Sequence, residues 1–232
     1  LIAEIGNNHE GNLELAKELI KLAGDAGAHA VKFQTILPEL LISQKERQRR
    51  KLLNRFCFSK TEFEELAKLA IDYGVIFLST PFYLDAVEWL DSLVPAFKIA
   101  SGDNDFFPLI DKVLATEKPI LLSTGLIDYS DAKFLASRIY EHWNHLGLAP
   151  GLSLMHCVSS YPADQSEVNL SSIKELAKIC DVPGYSDHTM GIEVAQLAVA
   201  AGARIVEKHF TKDKEYSDFR DHKLSADPKD LR

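Results

Sequence analysis

Several β-type runs of the chain end in side chains that a purely structural strand would not need. Lys32 and Gln34 share one face of a run at 30–34, and Lys98 and Ser101 close another at 96–99. Hydroxyls end three more, at Ser79 and Thr80, at Ser123 and Thr124, and at Ser186. Two lysines among hydroxyls supply point charges and hydrogen-bond donors, which is what recognition of a phosphate or phosphate-carboxylate anion requires. The competing reading lets both lysines snorkel to solvent.

A second group could hold a metal. Side chains alternate along a strand, so Ser186 and His188 share a face of one run and Glu207 and His209 a face of the next. Neighbouring strands lie about 4.8 Å apart, near enough for two imidazoles to converge on one divalent ion. Nitrogen donors suit zinc, manganese, iron or cobalt, and only two protein ligands imply an open site completed by water and substrate. The alternative has His188 opening a helix and His209 satisfied in the core. Glu4, on the first run, would neighbour Glu207 if the sheet closes on itself. Such a carboxylate pair suits proton transfer and recognition of sugar hydroxyls, although each could also be a structural acid. His156 reads as a satisfied interior histidine.

The elements that must position these groups follow a repeating strand, loop, helix order. Eight strands are expected, at 2–5, 30–34, 75–80, 96–99, 119–124, 152–157, 183–186 and 204–210. Helix-period segments separate them. The clearest has Leu15, Ala16, Leu19, Ile20 and Ala23 on one face, Asn12 as N-cap and Gly27 as its stop. This alternation points to a parallel (β/α)₈ TIM barrel; an open doubly wound sheet shares it, but no GxGxxG turn follows the first strand. In a barrel of this kind the active site forms at the C-terminal ends of the strands, where the polar residues fall. Asp227 and Pro228 read as the N-cap and first position of an eighth helix that is cut short. The basic run at 45–51 reads as a solvated helix face or as a loop approaching an acidic substrate.

Composition bounds the partners. The chain has 232 residues, enough for one barrel, and is expected to be a single domain over its whole length. Its net charge of −8 argues against nucleic acid and acidic membranes as partners. Cys57, Cys157 and Cys180 lack CxxC spacing, so neither disulfides nor a cysteine zinc site is expected, and a cytoplasmic setting fits. No apolar run approaches the roughly 20 residues that span a bilayer.

The segments AEIGNNHEGN, VKFQT, FLSTPF, FKIASGDND, ILLSTG, HCVSSYP, GYSDHTMG and VEKHFT, in this order from residue 3 to 211, resemble the sialic acid synthase family. The resemblance implies a (β/α)₈ barrel that condenses phosphoenolpyruvate with an N-acetylmannosamine-type amino sugar aldehyde, giving a nine-carbon 2-keto acid and phosphate. It implies a divalent metal, manganese foremost, on His188 and His209, and catalytic roles for Glu4, Glu207 and His209. Lys32, Thr80, Lys98, Ser101, Ser123, Ser159 and Ser186 fall where the family binds phosphoenolpyruvate, and Gln34, Phe82, Tyr161 and Asp221 on the sugar side, with Glu4 beside them. Ser159 stands where some members have Asn, and FRDH replaces a usual GPDH around Asp221. The segment 37–59, which helps contact the sugar in the family, reads as a short loop. The family's small antifreeze-like C-terminal domain is not expected within these residues, and a homodimer is. A catalytically silent barrel serving a surface-polysaccharide pathway, or a related octulosonate or heptulosonate phosphate synthase, are the other readings.

Overall fold

A computed structural model describes all 232 residues. The chain separates into two compact units, one of 2–95 with 209–232, the other of Leu1 with 96–208.

The first unit opens with β1 (Ile2–Gly6), α1 (Leu13–Asp25) and β2 (Ala30–Thr35). It continues through α2 (Pro38–Leu41), α3 (Arg47–Asn54), α4 (Lys60–Asp72), β3 (Ile76–Pro81) and α5 (Leu84–Leu90). As expected, Asn12 caps α1 by accepting the N–H groups of Glu14 and Leu15, which satisfies donors that have no partner within the helix. The expected apolar face of α1 is buried, and Gly27 follows the helix at φ +97°. Ser59 and Glu62 form a capping box on α4. Between these helices and the strands, Phe33, Phe63 and Phe77 pack as stacked and edge-on rings.

Segment 37–59 carries two short helices, of which the sequence reading expected only the basic one. Pro38 starts α2 with its φ already set, and the Arg, Gln, Lys and Leu of α3 are good helix formers. α3 buries none of its residues, so the basic run is a solvated helix face.

The second unit runs through β4 (Phe97–Ile99), α6 (Phe107–Leu114), β5 (Ile120–Ser123), α7 (Tyr129–Leu146), β6 (Leu152–Cys157), α8 (Ser172–Leu176), β7 (Val182–Asp187), α9 (Glu193–Ala200) and β8 (Ile205–His209) as far as Lys208. Its core gathers Val168, Ile173, Tyr185, Val194, Ala198 and Val206. The chain then returns to the first unit with His209, α10 (Arg220–Leu224) and α11 (Pro228–Leu231), whose N-cap is Asp227 with Pro228 next, as the sequence indicates.

Hydrogen bonding orders the strands β3-β2-β1-β8-β7-β6-β5-β4, the order of a (β/α)₈ fold. Strand bounds move by no more than one residue at either end from those expected, as at β5, which covers Ile120–Ser123, and those of β6 coincide. In the first unit a register shift between Glu4 and Gly6 leaves Glu4 opposite Lys32 and Gly6 opposite Phe33. Gly6 takes φ +53° there, a conformation that costs a side-chain-bearing residue. No helix is long and apolar enough to cross a membrane.

Candidate active site

In the second unit, polar groups gather where β4, β5 and β6 end. Lys98 is 2% exposed and donates to Ser123 Oγ at 2.6 Å and to the Ile99 carbonyl at 3.2 Å. Ser101 Oγ accepts the Gly125 N–H at 3.1 Å. Asn104 bonds the carbonyls of Ser123 and Gly125 and so fixes the loop that joins them. A side chain at Gly125 would place its Cβ 2.5 Å from Ser159 Oγ and 2.7 Å from Ser101 Oγ. The missing Cβ therefore lets both hydroxyls close over one glycine. Lys98, Ser101, Ser123 and Ser159 are brought together around this turn, a set of donor types that suits an anion.

β7 and β8 add the next group. Ser186 pairs in register with Glu207 and donates to its Oε1 at 2.9 Å. His188 Nδ1 lies 2.8 Å from the Val158 carbonyl. A carbonyl only accepts, so Nδ1 carries the proton and the coordinating lone pair is on Nε2, the arrangement found in metal-ligating histidines. Tyr161 packs on this imidazole with ring centroids 4.1 Å apart. The sequence reading missed Cys157, whose Sγ is 3.5 Å from Ser101 Oγ and 3.7 Å from His188 Nδ1. Burial pushes this thiol up, yet His188, Ser101 and Lys98 together leave it below its ordinary value. His156 is satisfied, with Nε2 on the Val168 carbonyl at 2.6 Å.

In the first unit Lys32 and Glu4 form a buried ion pair at 2.7 Å. Lys32 also donates to Thr80 Oγ1 at 3.1 Å. Glu4 Oε1 accepts from Gln34 Nε2 at 3.0 Å, and Gln34 Oε1 accepts from Asn7 Nδ2 at 3.0 Å. Register explains the set, since Lys32 lies opposite Glu4 on β1 and Gln34 opposite Thr80 on β3. Glu4 was expected beside a metal and the sugar; here its carboxylate balances Lys32. A cavity of about 430 Å³ adjoins this chain of bonds. Asn7, Gln34, Ile36 and Phe82 line it from the strand ends, and Glu46 and Arg49 from the segment around α3. Arg49 and Glu46 face each other at 3.4 Å.

The remaining expected residues of this unit lie after β8. His209 is buried and its carbonyl accepts the Ala226 N–H at 2.7 Å. Asp221 is buried on α10 and its carboxylate accepts from Arg220 Nε at 2.9 Å. No group of three or more His, Cys, Asp or Glu stands at metal-binding spacing. A metal would therefore need an open donor set of the kind two histidines make, and the Nδ1-protonated tautomer of His188 fits such a set.

Residues 19–232 match the profile of the NeuB family. An uncharacterized protein of Methanocaldococcus jannaschii is 44% identical over 234 residues, which cover 100% of this chain and 67% of that protein. The N,N'-diacetyllegionaminic acid synthase of Legionella pneumophila is 36% identical over 247 residues, covering 100% of this chain and 69% of that one. Among solved structures, N-acetylneuraminic acid (sialic acid) synthetase from Leptospira borgpetersenii in complex with citrate superposes with a TM-score of 0.92 at 36% identity, over 99% of this chain and 79% of that one.

Proposed function

The chain belongs to the NeuB family of sialic acid synthase type, and on that premise we propose that it condenses phosphoenolpyruvate with an open-chain N-acetylmannosamine-type amino sugar, giving a nine-carbon 2-keto acid and phosphate. The observation that carries this reading is the donor set of Lys98, Ser101, Ser123 and Ser159 around Gly125. It offers a charged and several neutral donors to one anion, with the ammonium held by a short, buried contact to Ser123.

In this reading those four residues hold the phosphate, with Ser186 beside them. Lys32 holds the carboxylate of the same substrate, steadied by Thr80 and Glu4. Such anchoring fixes the nucleophilic C3 of phosphoenolpyruvate toward the aldehyde carbon, and orientation of this kind can supply about 7–11 kcal/mol of a barrier. When bound by His188 and His209, a divalent metal, manganese in this proposal, supplies Lewis-acid polarisation of the aldehyde oxygen. As the new carbon–carbon bond forms, the aldehyde oxygen takes the carbonyl electron pair, and C2 becomes electron-poor and takes up water. Glu207, or Glu4 once Lys32 has engaged substrate, accepts the proton this water loses, and that proton balances the one the former aldehyde oxygen gains as it becomes a hydroxyl. The hydroxyl left on C2 then gives up its proton to the departing phosphate as the C–O bond to phosphate breaks with its electron pair, leaving the keto group.

The cavity beside Gln34 takes the sugar, with Phe82, Tyr161 and Asp221 as further contacts. Its apolar surfaces at Ile36 and Phe82 suit acetamido methyl groups, and the amides of Asn7 and Gln34 suit hydroxyls. Glu46 opposes Arg49 at the rim, so a neutral sugar matches this lining better than a phosphorylated one, for which several donors would be needed. The proposal treats the whole chain as one synthase domain acting as a homodimer in the cytoplasm, consistent with its three free thiols.

Lys98→Met tests the assignment. It should raise the KM for phosphoenolpyruvate by about tenfold or more, a loss of about 1.4 kcal/mol, while the sugar KM stays within about twofold. A shift confined to the sugar KM would refute the assignment.

A further inference from the structure

We infer that Glu10 and His222 form a latch that positions Asp221 for the sugar, so that both set sugar affinity without touching either reactant. The inference rests on the sugar role proposed above for Asp221. It concerns residues to which neither strand alternation nor the resemblance gave any part.

α10 has five residues, Arg220–Leu224, and its N-cap, Phe219, makes no side-chain cap bond. A helix this short has little stability of its own. Its placement, and that of Asp221 upon it, must come from outside, and two chains of hydrogen bonds from the loop after β1 provide it. In the first, Asn8 Nδ2 donates to Ser225 Oγ at 2.9 Å and to the Phe210 carbonyl at 2.8 Å. Ser225 Oγ then donates to the Asp221 carbonyl at 2.6 Å. In the second, Glu10 Oε1 receives Ser217 Oγ at 2.5 Å and His222 Nε2 at 3.0 Å.

The histidine leaves this second chain no slack. His222 is 1% exposed, with Nδ1 2.8 Å from Thr211 Oγ1. A carboxylate at Nε2 only accepts, so Nε2 carries a proton. The ring is thus fixed at two ends, by Glu10 at Nε2 and by Thr211 at Nδ1. Tyr216 and Phe219 close its sides, with centroids 5.4 and 5.9 Å from that of the imidazole.

The Glu10 side of the latch is held in a costly conformation. Glu10 takes φ +49° and Gly11 φ +78°, and a Cβ on Gly11 would lie 1.7 Å from the Arg55 carbonyl oxygen. A glutamate in the left-handed region is strained and persists only where its surroundings over-determine it. Burial raises the Glu10 carboxyl, but the bonds from Ser217 and His222 and the charge of Arg55 outweigh this and leave it below the usual range. The carboxylate is thus kept ionised where it grips the residue next to Asp221.

The test is steady-state kinetics of the full chain on four variants. Asp221→Asn, the reference, should raise the sugar KM. Glu10→Ala should raise the sugar KM about tenfold with the phosphoenolpyruvate KM within about twofold, and Glu10→Gln, which keeps an acceptor for Ser217 and His222, should recover most of the loss. Ser217→Ala removes one of the two bonds and should give a smaller rise, about threefold, which also serves if Glu10→Ala fails to fold. Parental kinetics in Glu10→Ala and Ser217→Ala beside an impaired Asp221→Asn would overturn the latch alone. Equal loss for both substrates, without rescue by Gln, would mark a merely structural role and overturn it too. An unaltered sugar KM in Asp221→Asn would overturn the sugar role of Asp221 and the latch with it.

Discussion

Lys32 and Lys98 occupy comparable places on their strands and are buried alike, yet their surroundings differ. Lys98 gives its ammonium to a hydroxyl and a carbonyl beside the Gly125 turn, whereas Lys32 is ion-paired to Glu4. Strand alternation set Lys32 and Gln34 on one face in advance, and Lys98, Ser101 and Ser123 were read at strand ends, whereas Ser159 entered only through the resemblance. The partner of Lys32 was not legible, since it depends on the register of β1 against β2 and on the shift at Gly6. Still less legible was the latch, whose Glu10 and His222 lie 212 positions apart.

His9, in the same loop, carries a prediction at this scale. It is 1% exposed, accepts the Gly11 N–H at Nδ1, and stacks on Phe58 at 4.3 Å. Burial pushes its pKa down to about 4, against the pull of the Gly6 carbonyl and Glu10. A histidine so depressed lends its full stability above the unfolded value near ~6.5 and loses it as pH falls through about 4, worth about 3 kcal/mol across the window. Asp103 works in the opposite sense: burial and Asp105 raise its pKa to about 6, so its contribution is lost as pH rises. Comparing the parent with His9→Gln cancels Asp103. Chemical denaturation should show the parent's advantage over the variant shrinking by up to about 3 kcal/mol between roughly pH 7 and pH 4. A constant difference would show that His9 does not titrate in that window.

At the scale of elements, the eight strands and the first helix were readable because apolar period and capping chemistry agree in the sequence. α2 was not, and α3 was legible only as a charged helix face, since it buries no residue and so leaves no apolar stripe to detect. The pair Asp187 and Lys208 was missed for another reason. Alternation sets these residues on the faces opposite Ser186 and Glu207, away from the polar strand ends that draw attention. Their side chains are 0% and 2% exposed and meet at 2.8 Å. Lys208 also donates to the Thr189 carbonyl, while Tyr185 and Thr189 donate to Asp187. This network ties β7 to β8 in the register that aligns Ser186 with Glu207. Lys208→Met should leave a buried carboxylate without its counter-charge and cost about 3–5 kcal/mol in urea unfolding. The double variant Asp187→Leu with Lys208→Met should recover much of that loss. A single variant as stable as the parent would show that the pair does not hold the register.

At the scale of the whole molecule, the net charge of −8 makes local cation placement decisive for the multiply charged anion proposed as one substrate. The lysines supply it, and the acidic remainder of the surface gives no general attraction for phosphates. Membership of the NeuB family agrees with that placement. The central claim is that phosphoenolpyruvate gives up its phosphate by C–O cleavage only when an amino sugar aldehyde is there to be attacked. The most direct measurement supplies the protein, with manganese, with phosphoenolpyruvate carrying heavy oxygen at the bridge between C2 and phosphorus, alone and with each of a panel of amino sugars. Mass analysis should find the heavy oxygen in the released phosphate, in about one-to-one ratio with a nine-carbon 2-keto acid, and only with a sugar that the cavity near Gln34 accepts. Phosphate release that ignores the sugar, or heavy oxygen retained in the organic product, would contradict the account.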